Sequence, residues 1–163
     1  MTPEQIEEAA SRLFEAEGTG TQCGLLSEAY PNMTLEDAYA VQAALVARKR
    51  ASGQSIIGWK IGLTSRAMQQ ALNITTPDSG VLLEDMLFAD GTVIPAGRFI
   101  QPRVEAEIAF VMKSDIAGAD VTRDDVLAAT AHVAPSLEIL DTRILRVDPA
   151  TGNPRIITDT ISD

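Results

Sequence analysis

Val104-Glu105-Ala106-Glu107-Ile108-Ala109-Phe110-Val111 decides how this chain is read. Side chains alternate across a strand, so Val104, Ala106, Ile108 and Phe110 share one face. Glu105, Glu107, Ala109 and Val111 share the other, which is acidic at its near end and apolar at its far end. The two glutamates sit ~7 Å apart at their Cα atoms, two steps of ~3.3–3.4 Å, so their carboxylates can lean onto one ion. Like charges so placed repel, and one takes up a proton unless a cation lies between them. A hard cation with oxygen ligands, Mg²⁺ or Mn²⁺, meets that need. The same pattern also fits an exposed edge carrying two glutamates and no ion, and the pattern alone does not choose.

Reading outward toward the C-terminus, Val133 to Asp141 is a further strand expectation. Within Pro135-Ser136-Leu137-Glu138-Ile139-Leu140-Asp141, Glu138 interrupts an apolar run. A buried carboxylate needs a partner, which favours a third metal ligand. The alternative is an outward residue on a half-exposed strand whose core face is Leu137 and Ile139. Arg103, beside the acidic strand, balances charge or binds an anion. Asp148-Pro149-Ala150-Thr151-Gly152-Asn153-Pro154 reads as a hairpin-like loop between strands at Arg143–Val147 and Arg155–Thr160.

Toward the N-terminus, Ile56–Leu63 is a short apolar strand flanked by glycine. Its Lys60 either snorkels to water or lies against an anion, where it would bind a carboxylate or move a proton. Gly58 and Gly62 suggest close approach of something to the backbone. Residues 65–72 suit one short helix, and Thr75 to Gly80 a loop in which Asp78 is by default a turn aspartate. Val81–Phe88 and Thr92–Ile94 are expected as short strands around a turn at Asp90-Gly91. Thr2-Pro3-Glu4-Gln5 is a capping box that opens a helix at about residues 3–16. Thr34-Leu35-Glu36-Asp37 opens a second, with Arg48, Lys49 and Arg50 in its last turn where cations suit the helix dipole. Thr122-Arg123-Asp124-Asp125 caps a helix at about 123–131. Two helices followed mostly by strands make an α+β pattern rather than an alternating one. A single domain over 1–163 is expected, helical over 1–54 and β-rich with the metal-binding region over 55–163.

With 163 residues, 45% of them apolar and 22% charged, the chain has an ordinary globular composition. Thirteen basic and 23 acidic residues give a net charge of −10. That surface repels phosphate backbones, so no nucleic-acid partner is expected. An anionic substrate would need a local positive centre, which a metal or a lysine supplies. The lone Cys23 has no visible partner, which fits a reducing cytosol. No apolar run approaches the ~20 residues of a membrane helix, and the acidic start MTPEQIEEAA is no secretory signal. His132 is the single histidine. Sites built from several histidines are thereby excluded, and carboxylates and lysine must carry any chemistry.

The segments GWKIGLTSRAMQ (58–69), PDSGVLLEDM (77–86), QPRVEAEIAFVM (101–112), PSLEILDTRI (135–144) and VDPATGNPRIITDTISD (147–163) resemble the 2-oxo-hept-4-ene-1,7-dioate hydratases. Those belong with the 2-keto-4-pentenoate hydratases and 4-oxalocrotonate decarboxylases in the fumarylacetoacetate hydrolase superfamily. The resemblance implies a mixed β-roll or distorted barrel with N-terminal helices packed outside. It implies metal ligands at Glu105, Glu107 and Glu138, and Lys60 and Asp78 near the substrate as acid/base and anchoring groups. It also puts Ser162 at the pocket wall. The implied reaction is hydration of 2-oxo-hept-4-ene-1,7-dioate to 4-hydroxy-2-oxoheptanedioate in a homo-oligomer, during breakdown of aromatic acids such as homoprotocatechuate. Family members continue past the position of Asp163 with an N-A-A-N-A-G-like run and further strands, so the chain is expected to be a copy incomplete at its C-terminus. Decarboxylation at the same metal, hydrolysis of an acylpyruvate, and a non-catalytic module that only pairs with other subunits are the rival expectations.

Overall fold

The structure, a computed structural model, describes residues 1–71 and 74–163. It contains six helices, α1 (Pro3–Thr19), α2 (Leu26–Ala29), α3 (Leu35–Ala51), α4 (Arg66–Ala71), α5 (Arg123–Ala129) and α6 (Ile157–Ser162), among the described residues. Four strands, β1 (Ile56–Gly62), β2 (Asp78–Leu83), β3 (Arg103–Met112) and β4 (Thr130–Leu140), complete it. The class is α+β, as expected. The strands do not form a mixed roll: β1 pairs with β2 and β3 with β4, each pair antiparallel and two-stranded, and no barrel closes among the described residues. The chain divides into two compact units, one of residues 1–100 with 142–163 and one of residues 101–141. The expected line at residue 54, between helical and β-rich regions, therefore runs inside the first unit.

In the first unit the caps act as the sequence suggests. Thr2 accepts from the Gln5 N–H while the Gln5 side chain accepts from the Thr2 N–H. Gly20 ends α1 in the left-handed region at φ 66°, which glycine adopts without a Cβ penalty. Thr34 and Asp37 make the same reciprocal box at the start of α3. Ala9, Ala10 and Leu13 of α1 pack against Val41 and Leu45 of α3, with Leu25, Leu26 and Ile144 completing the core. Behind this core a chain of charges ties the helices together. Lys49 meets Glu17 at 2.7 Å, and Arg143 meets Glu17 at 3.0 Å. Burial pushes the Glu17 carboxyl up, but the hydrogen bond from Lys49 and the charges of Arg143 and Lys49 outweigh it and leave the group below its ordinary value.

Several expected elements differ. The run Val81–Phe88 is a strand only to Leu83, then a 3₁₀ turn at Glu84–Met86. Thr92–Ile94 is irregular, because the turn at Asp90-Gly91 is not followed by any strand pairing. The start of β2 reaches back to Asp78, inside the expected loop. The short helix expected at 65–72 appears as α4, and its last position, Leu72, lies outside the described residues. Arg155–Thr160 is not a strand, and Ile157–Ser162 is helical. The reason is Asp159, which is fully buried, accepts from the Ile156 N–H at 3.0 Å, and accepts from both the N–H and the hydroxyl of Ser27. Tertiary hydrogen bonding thus overrides the strand bias of the β-branched residues. The loop before it does close like a hairpin, with one bridge between Val147 and Pro154.

In the second unit, β3 and β4 form a regular ladder from Arg103–Leu140 to Val111–His132. α5 opens on Thr122, whose hydroxyl accepts from the Asp125 N–H.

Candidate functional site

The ladder sets the geometry of the acidic face. Glu105 lies directly opposite Glu138, and Glu107 opposite Ser136. With no bulge before Val111, alternation holds, so Glu105, Glu107, Ser136 and Glu138 share one face. Direct cross-strand neighbours have Cβ atoms about 4.5–5.5 Å apart, so two carboxylates meet across the ladder and a third stands one pleat along. One ligand oxygen from each of Glu105, Glu107 and Glu138 lies within 4.8 Å of the others. Neighbouring ligands of an octahedral Mg²⁺ at about 2.0–2.1 Å stand roughly 2.9 Å apart, so side-chain rotation must draw this trio together to close it on one ion. Three hard oxygen donors without histidine or thiolate suit Mg²⁺ or Mn²⁺. Glu105 and Glu107 are exposed and Glu138 half-buried. Arg103 is on the same face, two residues before Glu105, and exposed.

The first unit holds the other candidates. In the β1–β2 ladder Lys60 pairs with Gly80 and Gly62 with Asp78. Lys60 Nζ stands 3.8 Å from Asp78 Oδ2. The Asp78 side chain is 6% exposed and that of Lys60 32%. Lys60 thus faces the Asp78 carboxylate while keeping part of its side chain in water, and Asp78 is a buried strand residue rather than a turn aspartate. Asp78 Oδ1 is buried and has no hydrogen-bond partner among the described residues. Of the two glycines expected to mark a close approach, Gly62 has the Asp78 carboxylate and the lysine ammonium beside it, and Gly58 has open space.

Helix α3 braces this pair through residues that sequence reasoning did not single out. The Tyr39 hydroxyl accepts from the Ser79 N–H at 3.3 Å. Gln42 donates to the carbonyls of Ser79 and Ile161, tying β2 to α6. Their spacing of three on α3 was the available signal, since such residues lie on one helix face. An open pocket of about 510 Å³ lies between the start of α3, Thr75–Thr76 and the start of α6, and no ionisable side chain among the described residues lines it. A smaller one of about 30 Å³ reaches Tyr39, Pro77 and Asp78. The ionisable group thus lies at the smaller pocket, which is the more relevant to chemistry. Ser162 is fully buried, donates to the Thr158 carbonyl within α6 and lines neither pocket. Cys23 is half-buried and burial pushes its thiol up, opposite to what a nucleophile needs. His132 is exposed on β4.

Fold and site together define an α+β protein with a carboxylate centre suited to a hard divalent cation. In sequence, over nearly its whole length, the chain is similar to hydratases of unsaturated 2-oxo acids. It is 49% identical over 154 residues to a 2-oxo-hept-4-ene-1,7-dioate hydratase of Escherichia coli, covering 94% of this chain and 58% of that protein. It is 45% identical over 141 residues to a 2-hydroxyhexa-2,4-dienoate hydratase of Comamonas testosteroni, covering 85% and 53%. A solved 4-oxalocrotonate decarboxylase from Pseudomonas putida G7, complexed with magnesium and adipate, superposes with a TM-score of 0.88 at 32% identity, over 99% of this chain and 59% of that one. The chain thus spans somewhat more than half the length of these relatives. No family model matches it. No helix among the described residues is long and apolar enough to cross a membrane.

Proposed function

We propose that the chain carries the metal-binding part of a hydro-lyase that adds water to an unsaturated 2-oxo acid. The observation that carries this reading is the convergence of three carboxylates within 4.8 Å, in a chain similar to such hydratases. Glu105, Glu107 and Glu138 hold one Mg²⁺ or Mn²⁺. When bound, the cation supplies Lewis-acid polarisation of the substrate's carboxylate and 2-oxo oxygens. Lys60 and Asp78 move protons. In their hands the dienol form of the substrate becomes the conjugated 2-oxo-3-enoate, and water then adds at C4, giving a 4-hydroxy-2-oxo acid. Arg103 holds the distal carboxylate of a dioate substrate, and Ser162 supports the pocket wall from within α6. The preferred substrate is 2-oxo-hept-4-ene-1,7-dioate, by likeness to the Escherichia coli relative. The setting is cytosolic breakdown of aromatic acids such as homoprotocatechuate, in a homo-oligomer.

Decarboxylation of 2-oxo-3-hexenedioate is the second reading, favoured by the likeness to the decarboxylase structure. Both reactions need the same enolate stabilisation, so the ligand set does not separate them. Side-by-side assay of the two substrates with Mg²⁺ does. Mg²⁺-dependent hydration with little CO₂ release is the expected result, and CO₂ release alone or no turnover of either overturns it.

A further inference from the structure

We propose that Gly62 is a positioning residue, whose bare α-carbon leaves the notch in which the Asp78 carboxylate lies against Lys60. Residues 60 and 62 share a face of β1, and 78 and 80 share the matching face of β2. Each charged residue therefore faces a glycine across the ladder, and the two charges meet on the diagonal. The two glycines are not equivalent. A Cβ on Gly80 would lie 3.3 Å from Lys60 Cγ and 3.4 Å from Cε, along a flexible stem that can shift. A Cβ on Gly62 would fall onto Asp78 Oδ1 and lie 3.1 Å from Cγ and 2.9 Å from Lys60 Nζ. The lysine tip can swing toward water. The aspartate side chain is 6% exposed, so moving it aside means giving up its buried position against Lys60.

The requirement is spatial, not conformational. Gly62 is absent from the left-handed positions, so its backbone suits any residue. Gly58, on the same strand and the same face, provides an internal control, because a Cβ there meets nothing within 4 Å. The functional weight of the notch rests on the proposed proton-moving role of Lys60 and Asp78, while the positional claim rests on packing alone.

The test introduces Gly62→Ala and Gly58→Ala, each into the chain and into its Asp78→Ala variant, and reads Tm, Mg²⁺ affinity and Mg²⁺-dependent kcat. Gly62→Ala should lower Tm by about 5 °C, the scale of overpacking in a chain this long. Gly58→Ala should not. In the Asp78→Ala background the Gly62→Ala loss should vanish, and if Gly62→Ala alone does not fold, the double variant should. With the pair displaced, kcat should fall roughly a hundredfold while Mg²⁺ affinity holds. Equal Tm losses in both backgrounds, or no loss at all, would overturn the proposal. The expected Tm coupling in a chain without hydratase turnover sinks the hydratase reading and leaves the positional one standing.

Discussion

Asp37 and Lys60 show how single charged groups are set by their neighbours. The Asp37 carboxyl accepts from the Met1 ammonium at 2.6 Å and from the Thr34 N–H and hydroxyl. Those bonds, the ammonium first, hold it down at about 2, against an ordinary 3.8. A depressed carboxyl stabilises the fold above its ordinary value and loses that contribution as pH falls through its folded value. The α1–α3 pair should therefore weaken between about pH 4 and pH 2. An NMR titration of the Asp37 carboxyl with a midpoint near 4 would contradict this. For Lys60, exchange to Ala should depress kcat more than Mg²⁺ affinity. The reverse order would assign the lysine to metal binding instead.

Among the elements, α1 and α3 were legible because their caps are local. Thr2/Gln5 and Thr34/Asp37 each close a box within four residues, and the structure repeats both. Thr34→Ala should cost about 1 kcal/mol and Leu13→Ala about 2–5 kcal/mol in denaturant unfolding. Leu13 is the larger because it is fully buried between the two helices. The β3 alternation was equally legible, and with it the shared face of Glu105 and Glu107. What the sequence did not carry was register. That Glu138 stands opposite Glu105 is settled only by the pairing of two strands separated by a loop and α5. Likewise Pro77 and Gly80 read as loop punctuation, yet Asp78-Ser79-Gly80 pairs with β1. α6 escapes a strand reading only through tertiary contacts: Ile156, Ile157 and Thr158 favour strands, and Asp159, whose carboxylate accepts from the Ile156 N–H at the helix start, is held in place by Ser27 from α2.

At the scale of the molecule, the two units are built differently. The first has a helical core tied by partly buried ion pairs. The second carries one two-stranded ladder and α5, and apolar side chains of the ladder are exposed, Ile108 to 69% and Leu137 to 70%. Isolated two-stranded sheets are marginal in water, so backbone amides of residues 103–112 should exchange hydrogen faster than those of α1 and α3. Equal protection would contradict that ordering. A cation bound to the acidic face would offset part of the weakness, contributing about 2.7 kcal/mol at a hundredfold excess over its Kd.

The acidic face is also where the account is most exposed to test. Mn²⁺ titration followed by electron paramagnetic resonance, on the chain and on Glu107→Gln, counts the ions held. One tightly bound ion per chain, lost in Glu107→Gln, is the predicted result. Binding of the same stoichiometry and affinity in both would contradict it.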